Sequence, residues 1–163
     1  VLYSRPSRCG IEISTSTVLR LRDKYPNICA LKEAGGKSSK VSETMAVVDD
    51  DFIVLSGDDG LTLPFMACGA KGVISVASNI IPEKVSELVS FLQNGQLEEA
   101  RKLHLSNYSF FTDIFCEPNP VPIKILLLLK GLISSAEVRL PLCPPSDKNL
   151  DLLKKIAANL TIS

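Results

Sequence analysis

The sequence predicts an α/β fold: four consecutive βα units, as much as half of a TIM (β/α)8 barrel contains, followed by an all-helical appendage. Three observations predict it. Four short segments rich in Val, Ile or Leu recur early, and the inner three lie between segments of helical character, which is how parallel strands covered by helices read. After residue 76 only helical patterns follow. The 163 residues, 45% of them hydrophobic, are enough for one domain with a substantial core. A small open doubly wound sheet fits the same pattern and stays open at this point.

The elements follow in order. Strands are expected at Val1 to Ser4, Ile28 to Lys32, Phe52 to Ser56 and Gly72 to Val76. Between them, Ser14 to Lys24 carries Val18, Leu19 and Leu21 with Thr15 or Ser16 as cap, and Ser38 to Val48 carries Val41, Met45 and Val48. Leu61 to Cys68 forms a short helix stopped by Gly69. In the tail, Pro82 opens a helix with Val85, Leu88, Val89 and Leu92 on one face, closed by Asn94-Gly95. Gln96 to Phe115, the almost wholly apolar Pro122 to Ile133, and Asp147 to Leu160 capped by Ser146 complete it. Residues 1–95 thus read as a half barrel of four βα units and residues 96–163 as the helical appendage. The start on Val1-Leu2-Tyr3, an apolar stretch without Met, reads as part of a longer chain.

Composition excludes several classes. Eighteen basic and eighteen acidic residues balance, so nothing draws the chain to nucleic acid or to an anionic membrane. The longest apolar run, Ile125 to Leu129, is bounded by Lys124 and Lys130, too short for a membrane span, and no secretory leader pattern is present. Cysteines 9, 29, 68, 116 and 143 contain no C-x-x-C pair, which argues against a disulfide framework and a zinc site. Cys29 and Cys68 read as small buried residues of a reducing compartment. His104, the one histidine, sits in a charged helical segment and reads as surface; without a second histidine, a His-based triad or a multi-His metal centre is unfavoured.

In parallel α/β folds ligands meet the loops beyond the carboxyl ends of the strands. Four candidates stand there: Tyr3, Lys32, the Ser56-Gly57-Asp58-Asp59 turn, and the stretch from Ser75 to Asn79. Period-two alternation puts Ile28, Ala30 and Lys32 on one strand face. Burying a charged lysine there is costly, and the neutral amine that burial favours is a nucleophile toward ketones; alternatively Lys32 snorkels to solvent at the strand end. Tyr3 ends its strand as a proton shuttle or as an aromatic plug. The paired aspartates read as solvated carboxylates capping the next helix rather than as a metal or base pair.

These residues also carry a resemblance. Val1-Leu2-Tyr3-Ser4-Arg5-Pro6-Ser7-Arg8-Cys9-Gly10 resembles the L-Y-N-x-P-x-R-x-G segment of the dihydrodipicolinate synthase family, within the pyruvate-dependent Schiff-base lyases. Leu31-Lys32-Glu33-Ala34 is similar to its I-K-E-A motif. Leu55-Ser56-Gly57-Asp58-Asp59, Gly72-Val73-Ile74-Ser75-Val76, Glu117-Pro118-Asn119-Pro120-Val121-Pro122-Ile123-Lys124 and Arg139-Leu140-Pro141-Leu142 follow in the family's order. Ser4 stands where the family usually has Asn, and Cys9 where it has Thr.

The resemblance implies the C-terminal half of the barrel, strands five to eight, in a cytoplasmic enzyme of lysine and diaminopimelate biosynthesis that needs no cofactor. It implies that Lys32 forms an imine with pyruvate, that Tyr3 belongs to a proton relay, and that Arg8 holds the carboxylate of aspartate semialdehyde. Gly57 and Ile74 would line the pyruvate pocket through backbone groups, and Asn119 would fix the tail against the barrel. The family's double-threonine segment precedes Val1, so these 163 residues alone are expected to be inactive. The expected partners are the two substrates, and either further copies in a homo-oligomer (a tetramer in the family) or the missing N-terminal half. Two other readings stand beside it: an N-acetylneuraminate lyase or keto-deoxy sugar acid aldolase, and a non-catalytic half-barrel interaction module.

Overall fold

The computed structural model describes residues 1–160. The chain runs β1 (Leu2–Ser4), α1 (Pro6–Cys9), α2 (Thr15–Lys24), β2 (Ala30–Glu33), α3 (Ser38–Met45), β3 (Ile53–Ser56) and α4 (Thr62–Ala67). It continues with α5 (Pro82–Gln93), α6 (Leu97–Asp113), α7 (Val121–Leu129) and α8 (Asp147–Asn159). Three parallel strands form one sheet in the order β1-β2-β3, with Tyr3 opposite Lys32 and Lys32 opposite Leu55.

The strand expected over Gly72 to Val76 shrinks to an isolated bridge between Ser56 and Val73. The Lys71 amide donates to the Val54 carbonyl at 2.8 Å and the Ile74 amide to that of Ser56 at 2.8 Å, so the ladder begins. It ends there because the amides of Val76 and Ala77 turn to the Asp59 carboxylate, which bends the chain into a 3-10 turn over Ala77–Asn79. The four-strand expectation is thereby corrected to three strands and a bridge.

The two sheet faces differ. Leu31, Glu33, Val54 and Ser56 point under the helices and are fully buried. On the other face Tyr3 and Ile53 are 42% and 39% exposed, and Lys32 and Leu55 are half-buried. Under the covered face Val18, Leu31, Val41, Phe52, Val54 and Phe65 form one core cluster. A second joins Ile80 and Leu88 to Ala100, Phe111, Ile114, Leu126 and Leu153 of the tail helices. Each such Val, Leu, Ile or Phe side chain contributes about 1.5–3 kcal/mol by leaving water.

Local signals explain some helix ends. The Ser14 hydroxyl accepts the Thr17 amide at 3.2 Å, so the cap of α2 is Ser14 and not Thr15 or Ser16. Gly95, at φ 72°, ends α5, and the Gln96 amide reaches back to the Phe91 carbonyl at 2.8 Å. Ser146 precedes α8 but does not cap it through its side chain; its hydroxyl instead donates to Glu117 at 3.2 Å. Among the described residues no helix is long and apolar enough to cross a membrane.

Candidate active site

The carboxyl ends of β1, β2 and β3 meet at the open face of the sheet, because the parallel register lines up Tyr3, Lys32 and Leu55. The Lys32 ammonium lies over the Tyr3 ring, its Nζ 4.5 Å from the centroid. A cation over an aromatic face gains about 0.5–1 kcal/mol where exposed. Among the described residues Lys32 makes no ion pair, so no carboxylate competes for its amine.

Gly57 follows β3 directly and is buried, its amide donating to the Glu33 carbonyl at 2.8 Å. A side chain there is sterically barred: an added Cβ would lie 2.7 Å from Ala34 Cβ and 3.1 Å from Lys32 Cε. Glycine therefore leaves the lane through which the Lys32 side chain runs. Ile74 comes next along the rim, 39% exposed, and its carbonyl accepts no hydrogen bond from any described residue. Arg8 lies in α1, exposed, with its guanidinium donating to the Asn119 carbonyl at 2.9 Å. That bond ties the loop after β1 to the segment between α6 and α7.

Several residues sit otherwise than the sequence suggested. Asp58 does act as a cap, accepting the Gly60 amide at 3.0 Å, but Asp59 is 2% exposed rather than solvated. Burial pushes its carboxyl above the usual carboxylate range, against hydrogen bonds from the Ser75 hydroxyl and the Val76 and Ala77 amides that pull it down. Glu33, beside Lys32 in sequence, points to the covered face and is fully buried; desolvation raises its pKa, and only one carboxylate oxygen has a partner, the Gly35 amide at 2.5 Å. Its burial was readable, since alternation sends Glu33 to the face opposite Lys32. Nothing local announced that of Asp59, whose partners lie 16 to 18 residues on.

His104 is buried, not on the surface: its ring stands 5.5 Å from that of Tyr108 and 6.1 Å from that of Phe111, and desolvation lowers its pKa. Cys29 is exposed and Cys68 only partly covered, so neither is the buried residue expected. The described residues contain no group of three or more His, Cys, Asp or Glu able to hold a metal ion.

A family model described as the dihydrodipicolinate synthetase family matches residues 1–160. A 4-hydroxy-tetrahydrodipicolinate synthase of a Sulfurihydrogenibium species is 47% identical over 156 residues, covering 96% of this chain and 53% of that protein. One from a Geobacter species is 49% identical with the same coverage. Among solved structures, the enzyme of that name from Methylacidiphilum fumariolicum superposes with a TM-score of 0.94 at 47% identity, over 97% of this chain and 52% of that one. The dihydrodipicolinate synthase of Aquifex aeolicus gives 0.93 at 40% identity, over 96% and 53%. The chain thus spans about half the length of the relatives it matches.

Proposed function

The chain belongs to the dihydrodipicolinate synthetase family, and from that premise we propose that it carries the imine-forming half of a 4-hydroxy-tetrahydrodipicolinate synthase. In this proposal residues 1–95 hold strands five to seven of the barrel, with the Ser56–Val73 bridge where strand eight would stand, and the helices that follow residue 96 are its appendage. Lys32 is the nucleophile. Its amine, once neutral, adds to the ketone carbon of pyruvate; the ketone oxygen takes up protons and leaves as water, and the imine remains. Loss of a methyl proton then gives an enamine whose carbon adds to the aldehyde of aspartate semialdehyde.

Tyr3, paired with Lys32 in the strand register, moves protons in these steps. Gly57 and the free carbonyl of Ile74 line the pyruvate pocket. Arg8 holds the semialdehyde carboxylate, for which a guanidinium fork is suited. The observation that carries the proposal is the Lys32 amine at the open strand ends, unpaired by any described carboxylate, over the Tyr3 ring and beside the lane that Gly57 leaves. The pathway is lysine and diaminopimelate synthesis, and the assembled enzyme is a homo-oligomer. The 163 residues alone form the imine but do not complete the condensation, which needs further hydroxyls for the relay and a clamp on the pyruvate carboxylate.

The test is borohydride reduction in the presence of pyruvate, followed by peptide mass analysis. The pyruvyl mass is expected on the peptide that contains Lys32. An adduct on another lysine instead, or one that survives Lys32→Ala, overturns the assignment.

A further inference from the structure

We propose that Asp59 is a positioning residue of the pyruvate site: its buried carboxylate fastens the turn after Ile74 and so fixes where the Ile74 carbonyl points. This rests on the pyruvate chemistry proposed above.

Every hydrogen bond that the Asp59 side chain accepts from the described residues comes from one short turn. One carboxylate oxygen takes the Ser75 hydroxyl; the other takes the Val76 amide at 3.0 Å and the Ala77 amide at 3.3 Å. Ser75 passes the constraint on, its hydroxyl oxygen accepting the Ser78 amide at 2.8 Å. On its other side Ile74 is held by the sheet, its amide donating to the Ser56 carbonyl at 2.8 Å. The Ile74–Ser75 peptide is therefore fixed at both ends, while its own carbonyl accepts no bond from any described residue. A carbonyl held rigidly with its lone pairs free is what a preorganised ligand contact requires.

The cost of the arrangement argues for a use. A 2% exposed carboxylate must give up its hydration, and the neighbouring charge of Asp58 repels it. A serine or asparagine would cap an ordinary 3-10 turn without burying a charge. Asp59 stands two residues after Gly57, in the turn that Ser56 and Asp58 close, so its side chain joins that turn to the one after Ile74.

The experiment measures Lys32 adduct formation by the whole 163-residue chain across pyruvate concentrations, with amide hydrogen exchange on the same samples. The unaltered chain, Asp59→Asn and Asp59→Ala are compared. The unaltered chain is expected to give a rate that saturates with pyruvate. Asp59→Ala is expected to raise the half-saturating concentration on the order of tenfold, the loss of hydrogen bonds to a charged group, with the limiting rate held within about twofold. Asp59→Asn, with the same shape and one acceptor fewer, should fall between.

In both variants exchange should quicken at Val76 and Ala77 while Leu31 and Val54 stay protected, which separates a loosened turn from an unfolded chain. If Val76 and Ala77 loosen but half-saturation does not move, Asp59 only caps a turn and the proposal is overturned. If Asp59→Ala unfolds the sheet, the same criterion applied to Asp59→Asn decides. A missing Lys32 adduct in the unaltered chain overturns the pyruvate reading itself, an outcome visible before any variant is compared.

Discussion

Gly57→Ala is the sharpest perturbation the site offers. The new Cβ would meet Ala34 Cβ at 2.7 Å, Lys32 Cε at 3.1 Å and the Glu33 carbonyl oxygen at 3.2 Å. The first and third contacts are with backbone or atoms fixed to it, so β2 and β3 must part at their carboxyl ends. Overpacking of this kind costs about 1–3 kcal/mol. The Gly57 amide bond to the Glu33 carbonyl, 2.8 Å long, crosses the same gap, and losing it adds about 1 kcal/mol. A total of about 2–4 kcal/mol lowers the urea midpoint by roughly 1–2 M at an unchanged slope. The remaining contact displaces the Lys32 side chain, so trapping of pyruvate there should fall as well. Adding Ala34→Gly removes the shortest contact and should restore part of both. A Gly57→Ala midpoint within about 0.2 M of the parent's would refute the claim that this lane has no room.

Three further outcomes follow from the same geometry. Glu33 binds its proton more tightly folded than unfolded, because burial raises its pKa, so stability present in acid is lost as pH rises through that raised value. Thermal melts of the parent should therefore decline from mildly acid toward neutral pH more steeply than those of Glu33→Gln, and equal slopes would contradict the assignment. Ser14→Ala removes the acceptor for the Thr17 amide and should cost about 1 kcal/mol in urea unfolding; an unmoved midpoint would show that α2 needs no cap. Arg8→Ala, made in a barrel completed with the remaining half of a relative, should raise the Michaelis constant for aspartate semialdehyde more than that for pyruvate. Equal changes would leave Arg8 as a tether to the Asn119 carbonyl alone.

Much of this was legible in the residues, because short-range periodicity governs both strands and helices. The first three strands fall within two residues of their expected bounds at either end, and the shared register of Tyr3 and Lys32 follows from parallel pairing of strands that end alike. What escaped depends on contacts distant in sequence. Asp59 is buried because the turn at Ser75 folds onto it, and the same turn cuts the fourth strand to one bridge. His104 shares a helix face with Tyr108 and Phe111, a spacing of four and three residues that was open to inspection but masked by neighbouring charges. Cys29 sits in an apolar stretch, yet lies outside β2, which begins only at Ala30.

The stacking of Lys32 on Tyr3 turns the chain into its own optical gauge. There is no tryptophan, and the three tyrosines are the only strong near-ultraviolet emitters. Each has a different neighbour: Tyr25 lies under Lys24 at 5.3 Å, Tyr108 beside His104, and Tyr3 under the amine at 4.5 Å. In the imine proposed for that amine, which carries a carboxylate, the charge above one emitter changes and the other two are untouched. Tyrosine emission recorded against a Tyr3→Phe reference is therefore expected to follow the proposed adduct in real time, without a label, a coupled enzyme or a coloured product.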